Sequence, residues 1–191
     1  MKRGKKLTVL IVILALMMGL YVIVTKWTAA QEEKESEASY TTVLSFDVDD
    51  VTEITWQYNV SEETDEGTET GTEQWTLKKV DGSWNYGEDE DLDLDEEAVD
   101  SMISNISALT SEQVFDIDES DDLSQYGFDE PISKITVKTE SEEYTLITGD
   151  YNDVAYAYYA MIEGSNQVFI TEGTYTDVFM ATPESLEYTE E

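Results

Sequence analysis

The chain has 191 residues, with 44 Asp and Glu against 10 Lys and Arg, a net charge of −34, and neither His nor Cys. Without Cys there are no disulfides, and without His or Cys the common zinc sites and the Ser-His-Asp and Cys-His nucleophile systems are unavailable. No Lys follows a Ser at the spacing of a Ser-x-x-Lys dyad, and a lipoprotein would need a Cys that is absent.

The charge is sharply divided along the chain. Lys2, Arg3, Lys5 and Lys6 precede an apolar run from Leu7 to Val24, closed by Lys26 and Trp27. An uncharged stretch of that length can just span a bilayer, and the basic residues before it hold that end in the cytoplasm. Residues 1–6 thus read as a cytoplasmic basic end and 7–27 as a transmembrane anchor, with all that follows extracytoplasmic. Thr28 and Ala30 also have the spacing a signal peptidase reads, which would release the chain at Gln31. The length of the run and the interfacial Lys26-Trp27 pair favour an uncleaved, single-pass anchor. After Ala30, all 44 carboxylates face only Lys34, Lys78, Lys79, Lys134 and Lys138, a balance of −39. Such a field repels nucleic acid, so no nucleic-acid partner is expected.

Residues 28–39 are polar and charged and read as an acidic tether. An extracytoplasmic domain is expected over 40–181, followed by an acidic, frayed tail over 182–191. Within the domain, Leu44, Phe46 and Val48, then Ile54, Trp56 and Tyr58, alternate as strands with a break near Asp49-Asp50. Ser61 to Thr72, rich in Glu, Thr and Gly, reads as a mobile hairpin loop. Trp75 and Leu77 lead through Asp81-Gly82 to Trp84 and Tyr86, a hairpin.

Val99, Met102, Ile103, Ile106 and Leu109 line one helical stripe, predicting a helix over Glu96–Leu109. Asp95 would be its N-cap, and Leu94 would staple onto Val99. Asp122 to Tyr126 reads as one helical turn ended by Gly127, with Pro131 enforcing an extended entry into Ile135 and Val137. Glu140–Glu142 turns the chain into Tyr144, Leu146 and Thr148, ending at Gly149. Ala155–Ile162 and Gln167–Thr171 flank a turn at Glu163–Asn166, and Tyr175–Met180 is a short strand or a helical turn. The fold class expected is α+β, a mainly antiparallel β domain with one clear amphipathic helix behind the membrane segment.

The segment Leu123-Ser124-Gln125-Tyr126-Gly127-Phe128-Asp129-Glu130-Pro131 carries a family likeness. So do the strand closing on Gly149, the tyrosine-rich strand, Val168-Phe169-Ile170, and Trp84 after Asp81-Gly82. On these residues the chain resembles the bacterial family catalogued as domain of unknown function 4340, over most of Val43 to Met180. Members more often carry Leu at the place of Phe128. The resemblance implies a membrane-anchored exported protein, sometimes associated with ABC-type transport systems, with no assigned activity and no catalytic residue to carry over.

Three sets of residues invite a functional reading. Glu88–Glu97 is the densest acidic run, and Asp91, Asp93 and Asp95 imitate the start of an EF-hand loop. Glu96 stands where that loop needs Gly, however, and Met102 where it needs a bidentate Glu, leaving only loose calcium binding against a solvated loop. Tyr151, Tyr156, Tyr158 and Tyr159, with Trp56, Trp75 and Trp84, can form an aromatic platform for sugar rings, although aromatics equally stabilise sheets by cross-strand pairing. Paired carboxylates able to hydrolyse a glycan cannot be singled out where carboxylates are everywhere. The sequons at Asn59 and Asn105 are expected to be silent in a bacterial protein. No catalytic, cofactor or metal residue is therefore assigned. The expected role is a non-enzymatic accessory module whose partners are the bilayer and membrane proteins such as ABC transporter subunits, the alternative being a wall-polysaccharide binder.

Overall fold

The computed structural model describes residues 40–64, 67–118 and 121–189. Residues 1–39, which hold the basic end, apolar segment and tether, lie outside the described residues. Among those described, no helix is long and apolar enough to cross a membrane.

The strands are β1 (Thr41–Ser45), β2 (Val51–Thr64), β3 (Gly67–Val80), β4 (Ser83–Tyr86), β5 (Ala108–Ser111), β6 (Val114–Asp116), β7 (Ser133–Thr139), β8 (Glu143–Asn152), β9 (Ala157–Ile162) and β10 (Gln167–Thr171). Two helices, α1 (Glu96–Ser104) and α2 (Thr174–Val178), complete the regular structure with short 3-10 turns at Val48–Asp50, Leu123–Tyr126 and Pro183–Leu186. Eight strands form one antiparallel sheet in the order β4-β3-β2-β7-β8-β9-β10-β6, and β1 and β5 form a separate two-stranded ribbon. The fold is thus mainly antiparallel β with few helices.

Period-two alternation sorts the side chains between the sheet's two faces. Register places Tyr86, Leu77, Ile54, Val137 and Tyr144 in one row. Trp75, Trp56, Ile135, Leu146 and Ile162 form the next. This face carries the main core, joined by Val99, Met102, Ile103 and Ile106 and by Tyr175, Phe179 and Leu186. Full burial of side chains of this size contributes ~1.5–3 kcal/mol each. The Trp56 indole is wholly buried, and its N–H donates to the Ala181 carbonyl at 3.0 Å, satisfying its polar edge.

The other face is divided. Towards β9 and β10 it carries a second apolar patch, with Ile147, Met161 and Val168 buried outside the main core cluster. Towards β2 and β3 it is polar and uncovered, as antiparallel sheets permit.

Local chemistry fixes the turns. Asp81 and Gly82 both have positive φ, 52° and 93°, the two-residue hairpin geometry that Asp-Gly favours. Asp95 caps α1, its carboxylate accepting from Glu97 N at 2.9 Å and Ala98 N at 3.1 Å. Gly127, at φ 78°, ends the turn over Leu123–Tyr126 in the left-handed conformation.

Four expectations need correction. The helix ends at Ser104 rather than Leu109, because the Asn105 side chain turns back to the Ser101 carbonyl and the chain reverses. Ile106 remains buried in that turn, while Leu109 enters β5 and pairs with Leu44. The segment Ser61–Thr72 is no loop. The β2–β3 ladder continues through it from Asn59↔Thr72 to Thr64↔Gly67, with only residues 65 and 66 outside the description. The tail is docked as far as residue 189: Pro183 and Leu186 are buried, Asp95 N donates to the Leu186 carbonyl at 2.8 Å, and Tyr188 N donates to the Asp93 carbonyl at 2.8 Å. Two apolar residues in an otherwise acidic stretch suffice to hold it. Strand β8 also runs past Gly149 to Asn152, through a bulge between Thr148 and Tyr151.

Candidate functional site

The acidic run before α1 is used locally. Asp89 accepts from Asp91 N at 3.1 Å, Asp95 caps α1, and Glu96 accepts from Trp84 N at 2.9 Å. Asp100, one turn further along α1, accepts from the Trp84 indole N–H at 2.9 Å. Each bond turns a carboxylate towards main chain or indole, and among the described residues no group of three or more acidic side chains is gathered for a cation.

The aromatic residues do not assemble into one platform. Trp56 and Trp84 are in the core, and Trp75 packs between Trp56 and Tyr58, with ring centroids 5.9 Å and 5.4 Å away. Tyr159 faces Tyr126 at 5.1 Å beneath the Leu123–Phe128 segment, which closes the second apolar patch together with Phe115. Only Tyr151 and Tyr156 of the tyrosine set stay largely exposed, at 45% and 78%.

Tyr151 stands near the end of β8, and Tyr156 belongs to a preorganised loop between β8 and β9. The Asn152 side chain accepts from Val154 N at 2.9 Å and Ala155 N at 3.1 Å, and its amide donates to the Tyr159 hydroxyl at 2.7 Å. Tyr156 has φ 54°, a left-handed conformation that is unusual for a bulky residue and is found more often where surrounding structure enforces it. The loop tip thereby presents Val154, 89% exposed, and Tyr156 to solvent. Sequence periodicity grouped the tyrosines; it contained no signal for Val154, whose exposure follows from the Asn152 turn.

Beside the loop lies a cleft of 510 Å³, lined among others by Tyr40, Thr110, Glu112, Ala155, Glu172 and Thr174. It is the seam between the β1–β5 ribbon and the large sheet. Pairing of β6 with β10 stops at Phe169, and beyond it the two sheets are joined by Ile170 N donating to the Gln113 carbonyl at 3.0 Å and by the buried Ser111 hydroxyl, 2.7 Å from the Ile170 carbonyl. A hydrogen bond from the Tyr40 phenol to Glu112, reinforced by that carboxylate's charge and by Glu172, raises the phenol above its usual value of 10. The four ion pairs among the described residues use Glu53, Asp100 and Glu143, so no described lysine pairs with Glu112 or Glu172.

The basic side chains gather elsewhere, on the uncovered half of the sheet. Glu53 lies between Lys78 and Lys138, at 2.8 Å and 2.9 Å, and Lys138 also reaches Glu143 at 3.5 Å. Hydrogen bonds from Lys78 and then Lys138 hold the Glu53 carboxyl below the usual carboxylate range, while Glu53 raises Lys138. Along the same face, Thr55 and Thr76 hydroxyls lie 2.8 Å apart and those of Thr136 and Thr145 2.9 Å apart. These contacts pair part of the face internally.

The chain belongs to the family described as Domain of unknown function (DUF4340), whose family model matches residues 84–189. The match begins at Trp84, so β1 to β3 precede it, and it takes in the docked tail. The Leu123–Pro131 segment that carries the resemblance has a structural job here: Gly127 turns the chain, and Tyr126 and Phe128, 5.8 Å apart, cover the second apolar patch. No curated protein and no solved structure matches the chain.

Proposed function

We propose that this protein is a non-enzymatic accessory module, anchored by residues 7–27 and displayed outside the membrane, that engages a protein of a transport or envelope assembly. The observation that carries the reading is the β8–β9 loop, where one buried-side anchor, Asn152, fixes an exposed Val154 and a left-handed Tyr156. An apolar tip held rigid in solvent loses little conformational freedom on binding, which is what favours a recognition element. The basic-apolar-acidic order of the sequence supports the topology. The test is crosslinking in intact membranes followed by affinity purification of the full chain. Reproducible recovery of a permease or ATPase subunit is the expected result, and a monomer with no enriched membrane partner would refute the reading.

A second reading, a wall-polysaccharide binder, is favoured by the exposed rings of Tyr151 and Tyr156 and by the edge-on Tyr151–Tyr158 pair, 5.0 Å apart. Glycan binding by the purified chain that disappears in Tyr156→Ala would select it over the protein-partner reading.

A further inference from the structure

The seam between the two sheets has properties that specify an occupant. Its volume of 510 Å³ falls within the ~300–1,000 Å³ range of clefts that hold ligands. Glu112 and Glu172 line it and no lysine does, so phosphate, acidic glycans and anionic lipid head groups are repelled both by the rim and by the −39 balance of the chain beyond Ala30. Its walls include the ends of β5 and β10, where Ile170 N and the Ile170 carbonyl are already bonded to Gln113 and Ser111, so an occupant is held by side-chain contacts rather than by adding a strand. Ala155 and Ala157 also line the seam, and the residues alternating with them, Val154 and Tyr156, stand exposed at its side and offer apolar contact.

Connectivity limits where such a segment can come from. Tyr40 lines the seam and directly follows the connector 28–39. On the membrane-anchored reading proposed above, the segments available to the seam include extracytoplasmic parts of neighbouring membrane proteins.

We infer that the seam receives a lysine- or arginine-bearing extracytoplasmic segment of a neighbouring membrane protein, its cations meeting Glu112 and Glu172 and its apolar side chains meeting Val154 and Tyr156. This rests on the membrane-tethered interaction reading above and names the surface and the chemistry of that partner.

The experiment places a benzophenone photocrosslinker at Thr110, in the seam, or at Thr76, on the polar sheet face, in the full chain in its own membrane, and maps each crosslinked peptide. The Thr110 probe should capture an extracytoplasmic segment containing Lys or Arg from a protein with its own membrane span. Its yield should fall about fivefold in Glu112→Gln/Glu172→Gln, as loss of two charge contacts implies, and less than about twofold in Glu140→Gln/Glu163→Gln, which removes the same charge from exposed turns. Equal losses in the two double variants would show that only the overall field acts and would overturn the inference. So would a captured segment without basic residues. If a partner is captured from Thr76 and not from Thr110, the seam is the wrong surface while the accessory reading stands. Capture from neither position, with no partner co-purifying, would remove both.

Discussion

Gly149 lies where an added Cβ would land on the main-chain carbonyl oxygen of Tyr126. The reciprocal contact is made by Gly127, whose Cβ would strike Asp150, the residue after Gly149. The two glycines therefore let the Leu123–Phe128 turn and β8 approach main chain to main chain, which seats Tyr126 over the second apolar patch. Gly149→Ala should destabilise the chain by at least about 3 kcal/mol, since main chain on both sides prevents relaxation. Thermal unfolding of the purified protein, followed by near-UV circular dichroism, measures it; a melting temperature within about a degree of wild type would refute the close approach.

A second prediction concerns Tyr175, whose hydroxyl lies 2.9 Å from Thr148 Oγ1 in the core. Burial pushes the phenol up to about 12, against a usual value of 10. The unfolded chain therefore loses this proton first as pH rises. The stabilisation is whole below about pH 10 and disappears as pH climbs through about 12. Unfolding free energy should fall between about pH 10 and about 12, and Tyr175→Phe should flatten the fall while costing about 1 kcal/mol at pH 7 by leaving Thr148 without its partner.

Asp100 anchors the third prediction. It accepts from the Trp84 indole at 2.9 Å and lies 3.8 Å from Lys79, whose ammonium sits 4.9 Å from the Trp84 ring centroid. Asp100→Ala removes the only partner that the structure gives a nearly buried indole N–H and should cost about 1–2 kcal/mol. Asp100→Asn keeps an acceptor and should recover most of the loss. Chemical unfolding of the two variants side by side gives the comparison, and equal losses would mean the hydrogen bond contributes nothing.

The strands and hairpins were legible in the sequence because alternation and turn chemistry agreed. Ile54 and Trp56, then Leu77, Trp84 and Tyr86, mark one face, and Asp81-Gly82 supplies the turn that joins β3 to β4. The α1 stripe was legible too, but its end was not: Ile106 fits both a fourth helical turn and the reversal that the Asn105 side chain enforces. Thr and Glu alternating with Gly between Ser61 and Thr72 carry no apolar signal, so a ladder held by main-chain bonds looks like a loop. The sheet order was hidden because β2 pairs with β7 across more than seventy intervening residues, a contact that no local pattern encodes. The seam was illegible for the same reason: Tyr40, Glu112 and Glu172 are brought together only by the meeting of two sheets.

Charge leads to the fourth prediction. The excess of carboxylates opposes compaction, and screening acts over ~8–10 Å at physiological salt. Raising sodium chloride from about 10 to about 300 mM should increase the melting temperature by a few degrees. Millimolar calcium matched in ionic strength to sodium should add no more, because Asp95 and Glu96 are held by α1 and Trp84 and no group of three acidic side chains is gathered among the described residues. A much larger calcium effect would mean that those carboxylates can be recruited by a cation.

The placement of the lysines has a practical consequence for proteolysis. From Tyr40 onward every site that trypsin recognises lies inside a strand, Lys78 and Lys79 in β3 and Lys134 and Lys138 in β7. Cleavage there requires β3 or β7 to leave the sheet, so the rate at which trypsin fragments this part of the chain reports the population of its opened state. A protein so rich in acidic side chains and so poor in basic ones thus acts as its own folding reporter: trypsin digestion of the purified chain distinguishes a destabilised variant from one that is folded but has lost its partner.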